Sequence, residues 1–380
     1  MNSIAESSTS TTPCHRLVIG AMSGTSLDGI DVVLVDIVGK GLQIQVKFLK
    51  HLSFPFDDLI SKRLRLVAEQ NPCTAGEFAS LANDLGTVYA SACVTVAKEC
   101  NVFGSINLVS LHGQTLYHKP PLTLQLINAQ PIAQSLGCDI VYDLRSEDVF
   151  LGGQGAPLTP IADFILFRKT DKRRAVINLG GFANVTFLPS TDSVDSVTGC
   201  DICACNQILD YCSRKVLNKP FDSNGEISET GVVNTVAYDD LITLLQNASL
   251  FSRSLGTGDE LTLWTEKHCL NLQAEDLLAT AAEGIAYFIG HFVYDKADEV
   301  IIAGGGSKHC RLVKALSKVI GKDVIPSDSL GIPASAREAL CWAVLGCLAK
   351  DGVNVALRSV TQTPNDNISK HLSGSWILQR

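Results

Sequence analysis

Gly20-Ala-Met-Ser-Gly-Thr-Ser-Leu-Asp-Gly-Ile-Asp31 is a polar, glycine-broken stretch between two strand-forming runs, Arg16-Leu-Val-Ile19 and Ile30-Asp-Val-Val-Leu-Val-Asp-Ile37. Val and Ile crowd both flanks over strand-like lengths, so the middle reads as the turn of a β-hairpin. Such a turn can cradle an anion. Gly24 and Gly29 let the backbone approach a ligand closely, and Ser23, Thr25 and Ser26 add hydroxyl donors. Asp28 within that loop would be repelled by phosphates unless a divalent cation lay between them, which makes it a candidate Mg²⁺ contact.

Working outward, Leu42 to Leu49 predicts a third strand of a meander. Asp57 to Gln70 and Thr74 to Cys100 predict helices, the second capped by Thr74 with Glu77. An apolar strand, Ile106 to Leu111, then ends in His112-Gly-Gln-Thr115, placing His112 and Gln114 where α/β proteins put ligand contacts. Short strands at 122–126 and 139–142 flank a helix at 129–136. The exit from the last strand gathers Arg145, Asp148 and the loop Gly152-Gly-Gln-Gly-Ala-Pro157, which carries Gln154.

The strand–glycine–strand device then recurs in Ala175 to Leu188, with Asn178, Gly180, Gly181 and Asn184 at its turn. Ser196 to Asp201 follows as a third strand, and the repetition suggests a duplicated α/β unit. A strand from Glu299 runs into Gly304, Gly305 and Gly306 ahead of a helix, a place where a phosphate or a flat ring can lie on bare backbone. The helix 334–351 carries Arg337 and Glu338 in its first turn.

At 380 residues the chain exceeds what one core usually supports, so two domains with a cleft between them are expected. Hydrophobic content is 46%, net charge is -8, and no basic block is present, which argues against nucleic acid or an anionic membrane as the partner. The thirteen cysteines are odd in number and mostly embedded in apolar runs, as expected of reduced core residues in a cytoplasmic protein. Residues 1–15 read as a disordered tail. The segment Leu277 to Tyr294 has helical periodicity and carries Glu283 and His291, which favours a buried helix over a membrane span.

With these pieces assembled, the sequence resembles the anhydro-N-acetylmuramic acid kinase family of the sugar kinase, heat-shock ATPase and actin superfamily. The likeness runs in order through Met22 to Asp31, Ser110 to Thr115, Thr123-Leu-Gln125, Asp143-Leu-Arg145, Asp148-Val149, Gly152 to Leu158, Ile177 to Thr186, Gly304 to Gly306 and Arg337-Glu-Ala339. It implies two ribonuclease-H-like domains, 16–160 and 161–352, closing on ATP and an anhydro sugar in a central cleft, with an irregular segment 353–380 after them. It further implies that water opens a 1,6-anhydro sugar while O6 takes the γ-phosphoryl group. Asp201 matches the catalytic aspartate. Ser23, Gly24, Thr25, Ser26, Asn178, Gly180, Gly181, Asn184 and Gly304 to Gly306 match nucleotide-facing positions. His112, Gln114, Arg145, Asp148 and Gln154 are the expected substrate contacts, and Asp28 and Glu338 the expected Mg²⁺ contacts. A homodimer is also expected.

Two departures stand out. Ile202-Cys-Ala-Cys205 replaces a Thr-Gly-Pro-Gly run beside the aspartate, and Arg253-Ser-Leu-Gly-Thr-Gly-Asp-Glu260 lacks the usual arginine of its loop. They leave two alternatives open: a kinase of levoglucosan, and a nucleotide- or sugar-binding protein with impaired catalysis. Cys200, Cys203, Cys205 and Cys212 lack paired C-x-x-C knuckles, so reduced thiols are expected there rather than zinc.

Overall fold

The computed structural model describes residues 15–24, 27–248, 260–364 and 371–379. The expected disordered leader up to residue 14, the Thr25 and Ser26 contacts and the variant loop at 251–259 lie outside the described residues.

Three antiparallel strands open the fold, β1 (His15–Met22), β2 (Gly29–Val38) and β3 (Gln45–Pro55). The third starts later than its hydrophobic pattern predicts, because residues 41–43 form a turn of 3₁₀ helix. Helices α1 (Asp58–Ala68) and α2 (Ala75–Glu99) follow, the latter opened by the expected Thr74–Glu77 capping box. Then β4 (Leu108–His112) pairs parallel to β1. A separate hairpin, β5 (Gln114–Lys119) and β6 (Leu122–Leu126), precedes α3 (Gln130–Leu136) and β7 (Asp139–Tyr142), which lies parallel to β4. Helices α4 (Ser146–Phe150) and α5 (Pro160–Phe167) lead to the second sheet.

That sheet repeats the plan. β8 (Arg174–Leu179), β9 (Phe182–Leu188) and β10 (Thr198–Ala204) form an antiparallel meander. After α6 (Asn206–Leu217), α7 (Thr235–Ala248), α8 (Glu260–His268) and α9 (Ala274–Val293), β11 (Glu299–Ala303) joins parallel to β8. Helix α10 (Cys310–Ile320) and β12 (Val324–Pro326) complete it. The sheet orders β3-β2-β1-β4-β7 and β10-β9-β8-β11-β12 are the same, a three-stranded meander extended by two parallel strands. This is the ribonuclease-H-like arrangement, present twice, as the paired hairpins foretold.

The end of the chain departs from the sequence reading. Helix α11 (Arg337–Lys350), assigned to the second unit, packs on β1, β2 and β4 of the first sheet. Beyond it, the segment expected to be irregular contains a short helix, α12 (Arg358–Thr361), and a strand, β13 (Ser375–Ile377), that pairs antiparallel with β7. Short-range pattern cannot show this, because the partners of both elements lie hundreds of residues upstream.

Strand alternation divides the apolar residues into three cores. Val18 and Met22 of β1 and Val176 of β8 face the space between the sheets, which α5 and α11 fill. Ile19 and Ala21 face α2 on the outside of the first sheet. Ala175 and Ile177 face α6, α9 and α10 on the outside of the second. Helix α11 lies so close to β1 that a Cβ on Gly20 would sit 2.0 Å from the Ala339 carbonyl oxygen. One ion pair is sealed in this middle layer: Arg337 Nε donates to Asp163 Oδ1 at 3.0 Å, and Thr186 Oγ1 of β9 donates to Asp163 Oδ2 at 2.6 Å. It ties α11, α5 and the second sheet together.

Candidate functional site

The carboxyl ends of β1 and β4 lie side by side, with Met22 registered against both Asp31 and His112. Gln114, just past β4, is fully buried. Its Oε1 accepts from Ser23 Oγ at 2.5 Å, and its Nε2 donates to the Gly24 carbonyl at 3.0 Å. The expected substrate contact at Gln114 is therefore corrected: its amide is spent on holding the entrance of the first glycine turn. Ser23 likewise gives its hydroxyl proton to Gln114. His112 is fixed by Tyr89, whose hydroxyl donates to the His112 carbonyl at 2.8 Å.

On the second sheet, Asn178 of β8, Asn184 of β9 and Asp201 of β10 stand directly across from one another. Opposed residues of antiparallel strands share a face, so these three form a polar row across the meander. Ala303, registered beside Asn178, extends the row into the triple glycine. Asn178 is buried, and its Oδ1 has no hydrogen-bond partner among the described residues. An unpaired buried acceptor costs free energy unless a ligand satisfies it, which marks this end of the row as a binding surface.

A β-bulge separates Asp201 from Cys203. The extra residue re-aims the strand end next to Asp201 and turns Ile202 and Cys203 into the core. The Ile202 to Cys205 departure thus continues a strand and fills the core. The following backbone docks on the second glycine turn: Cys205 N donates to Gly181 O at 2.9 Å and Asn206 N to Gly180 O at 3.0 Å. Burial pushes the Cys203 thiol well up and that of Cys205 to about 12, so both stay protonated and unreactive.

Arg145 brings the two sheets' residues together. Its Nε donates to His112 Nε2 at 3.1 Å, and one terminal nitrogen donates to the Gly155 carbonyl at 2.8 Å. Its guanidinium lies 5.7 Å from the Trp342 ring centre, and His112 packs on the same indole at 4.4 Å. Burial brings its pKa down to about 10, opposed by the negative charges of Asp201, Glu338 and Asp143. The Arg145 cation and the Asp201 carboxylate of β10 thus attract one another.

Several contributors escaped sequence reasoning. Trp342 looks like one more core residue of an apolar helix. His118, Thr123 and Gln125 lie on the β5–β6 hairpin beside Arg145: His118 Nδ1 is 2.9 Å from Thr123 Oγ1, and Gln125 Nε2 donates to that oxygen at 2.8 Å. His118 Nε2, Gln125 Oε1 and His112 Nδ1 are buried without partners among the described residues. The Thr123-Leu-Gln125 motif was the available signal for this wall.

One expected role changes. Asp148 is buried, with both carboxylate oxygens taken by donors of the protein, so it does not meet substrate directly. The Gln154 backbone N–H donates to the Thr361 carbonyl at 2.7 Å, which sets the course of the glycine loop and leaves its side chain out of that bond. Burial raises the Glu338 carboxyl, with Asp31 and Asp163 pushing the same way and Arg337 and Arg145 opposing, and Asp28 is exposed at the hairpin tip. Burial raises the Asp210 carboxyl to about 6, and Asp28 pushes in the same direction.

Burial, aided by the Arg145 charge, depresses His118 to about 4. The unfolded chain binds that proton near the ordinary value of 6.5, so the stabilisation is full above about pH 6.5 and is lost as pH falls towards 4. His118→Gln should therefore flatten the decline in urea midpoint between pH 7 and pH 5. An unchanged slope would exclude His118 as a source of the acid sensitivity.

Among the described residues no helix is long and apolar enough to cross a membrane. Residues 16–369 match the family model described as anhydro-N-acetylmuramic acid kinase. The chain is similar to a protein of that name from Caldanaerobacter subterraneus subsp. tengcongensis, 32% identical over 356 residues, covering 87% of this chain and 90% of the relative. It is likewise similar to one from Salinibacter ruber, 32% identical over 386 residues, covering 93% and 96%. Among solved structures it is similar to the activator of the 2-hydroxyisocaproyl-CoA dehydratase from Clostridium difficile, with a TM-score of 0.45 and 14% identity over 88% of this chain and 96% of that one.

Proposed function

The chain belongs to the anhydro-N-acetylmuramic acid kinase family, and from that premise we propose that it uses ATP to convert 1,6-anhydro-N-acetylmuramic acid into the ring-opened 6-phosphate. In this reading Asp201 takes a proton from water as its oxygen bonds to C1. The C1–O6 bond breaks, and O6 accepts the γ-phosphoryl group, releasing ADP. The observation that carries the proposal is the placement of Asp201 in one row with Asn184 and Asn178, with its charge acting on the buried Arg145 guanidinium. Phosphoryl transfer depends on positioning and charge stabilisation, and that row supplies a base at one end and a nucleotide-facing surface at the other.

Arg145, His112 and the β5–β6 wall then form the sugar side. His112 is held neutral by burial and by the adjacent Arg145 cation, so it meets sugar oxygens as a hydrogen-bonding group without charge. Asp28 and Asp210, whose charges repel, and Glu338 are the carboxylates that would hold Mg²⁺, although among the described residues no three such side chains gather at one point. A cation held there would supply positive charge against the phosphate oxygens of the nucleotide. Coupled ADP release should show turnover on the anhydro-muramic acid with kcat/KM at least about tenfold above that on levoglucosan, a gap of roughly 1.4 kcal/mol. The reverse preference would overturn the choice of sugar.

The nucleotide side has its own test. Gly304 has φ +82°, and a Cβ there would lie 2.6 Å from Asn178 Oδ1 and 2.8 Å from the Leu179 carbonyl oxygen. Gly304→Ala should weaken ATP binding about tenfold or more, since strain of roughly 1–3 kcal/mol falls on the contact surface itself. Calorimetric titration checks it; an unchanged Kd for ATP would remove the triple glycine from the nucleotide site.

A further inference from the structure

The Asp148 carboxylate is the hub of a network that reaches both sides of the site from the end of the chain. Thr361 Oγ1 and Thr363 Oγ1 donate to its Oδ1 at 2.8 and 2.5 Å, and the Gly155 amide donates to its Oδ2 at 2.7 Å. Gly155 then offers its carbonyl to Arg145 at 2.8 Å. Two more bonds stiffen the same loop, from Gly153 N to Asp148 O at 2.8 Å and from Gln154 N to Thr361 O at 2.7 Å. On its other flank α12 reaches the second sheet: Ser359 Oγ donates to the carbonyl of Val197 at 2.6 Å, at the entry of the strand that carries Asp201.

We propose that residues 358–363 are a positioning brace for the reaction, fixing Arg145 through Asp148 and Gly155 and steadying the Asp201 strand through Ser359. The inference rests on the kinase reading above. Its physical basis is the accumulation of short, charge-assisted bonds on one buried carboxylate. With both Asp148 oxygens engaged, the carboxylate cannot turn towards substrate, and the Gly155 carbonyl can shift only if the threonines let go. The bonds named above run to Val197, Asp148 and Gln154 rather than to Asn178 and Gly304, so its loss should fall on the sugar and on the chemical step. A displacement of Arg145 by about an ångström costs on the order of a hundredfold in rate.

The test replaces the hydroxyls with methyls of the same shape, in Thr363→Val and in Thr361→Val combined with Thr363→Val, beside Thr363→Ser. The double variant should raise the KM for the anhydro sugar about tenfold and lower kcat on the order of a hundredfold while the KM for ATP stays within about twofold. Thr363→Ser should remain close to the parent protein. Equal losses for sugar and ATP, or a serine variant as impaired as the valine one, would overturn the proposal. Hydrogen exchange of the 153–156 amides gives a readout independent of turnover: faster exchange in the valine variants is expected, and unchanged protection would overturn the brace even if the parent protein transferred phosphate to no sugar.

Discussion

Asp201→Asn should lower kcat by roughly 10²–10⁴-fold, the range that general acid–base catalysis contributes, while ATP binding persists. The substitution keeps size and shape but removes the proton acceptor. Asp201 lies one strand away from Asn184 and two from Asn178, so the Asn178 end of the row need not move. The separation of effects is the informative part. A loss in kcat and kcat/KM together, with ATP still raising the melting temperature, indicates an interaction made in the transition state. A variant that turned over at the parent rate would remove Asp201 from the reaction.

The second large effect concerns stability. Arg337 and Asp163 are both fully buried between the sheets. Arg337→Met alone strands the Asp163 carboxylate with the Thr186 hydroxyl as its remaining strong donor and should cost about 3–5 kcal/mol. Adding Asp163→Asn removes the stranded charge while leaving an acceptor for Thr186, and should recover most of that loss. Urea unfolding of the two variants decides it. If the double variant were no more stable than Arg337→Met, the penalty would lie in packing around α11, since charge would then account for none of it.

Both glycine hairpins, the strands that flank them and the polar row were legible in the sequence because each is a local pattern: β-branched runs, a glycine turn, polar residues at strand ends. The roles of Gln114 and Asp148 were not. A side chain that meets a ligand and one that braces a loop are the same residue type in the same motif, and the difference lies in partners such as Thr361 and Thr363, more than two hundred residues from Asp148. The same holds for α11 and β13, whose apolar faces announce burial without naming the sheet they cover. Ile202 to Cys205 misled for another reason: a departure from a glycine-rich loop reads as lost donors, whereas a single bulge absorbs it into β10 and the core.

The central claim is that water and the γ-phosphoryl group are delivered to one anhydro sugar in a single site. Single-turnover reaction of the protein with ATP, Mg²⁺ and 1,6-anhydro-N-acetylmuramic acid, with the product weighed by mass spectrometry, tests it most directly. The account predicts a phosphosugar whose mass includes one added water, formed together with one ADP and suppressed in Asp201→Asn. A phosphosugar that keeps its anhydro bridge, or ADP formed with the sugar left intact, would contradict it.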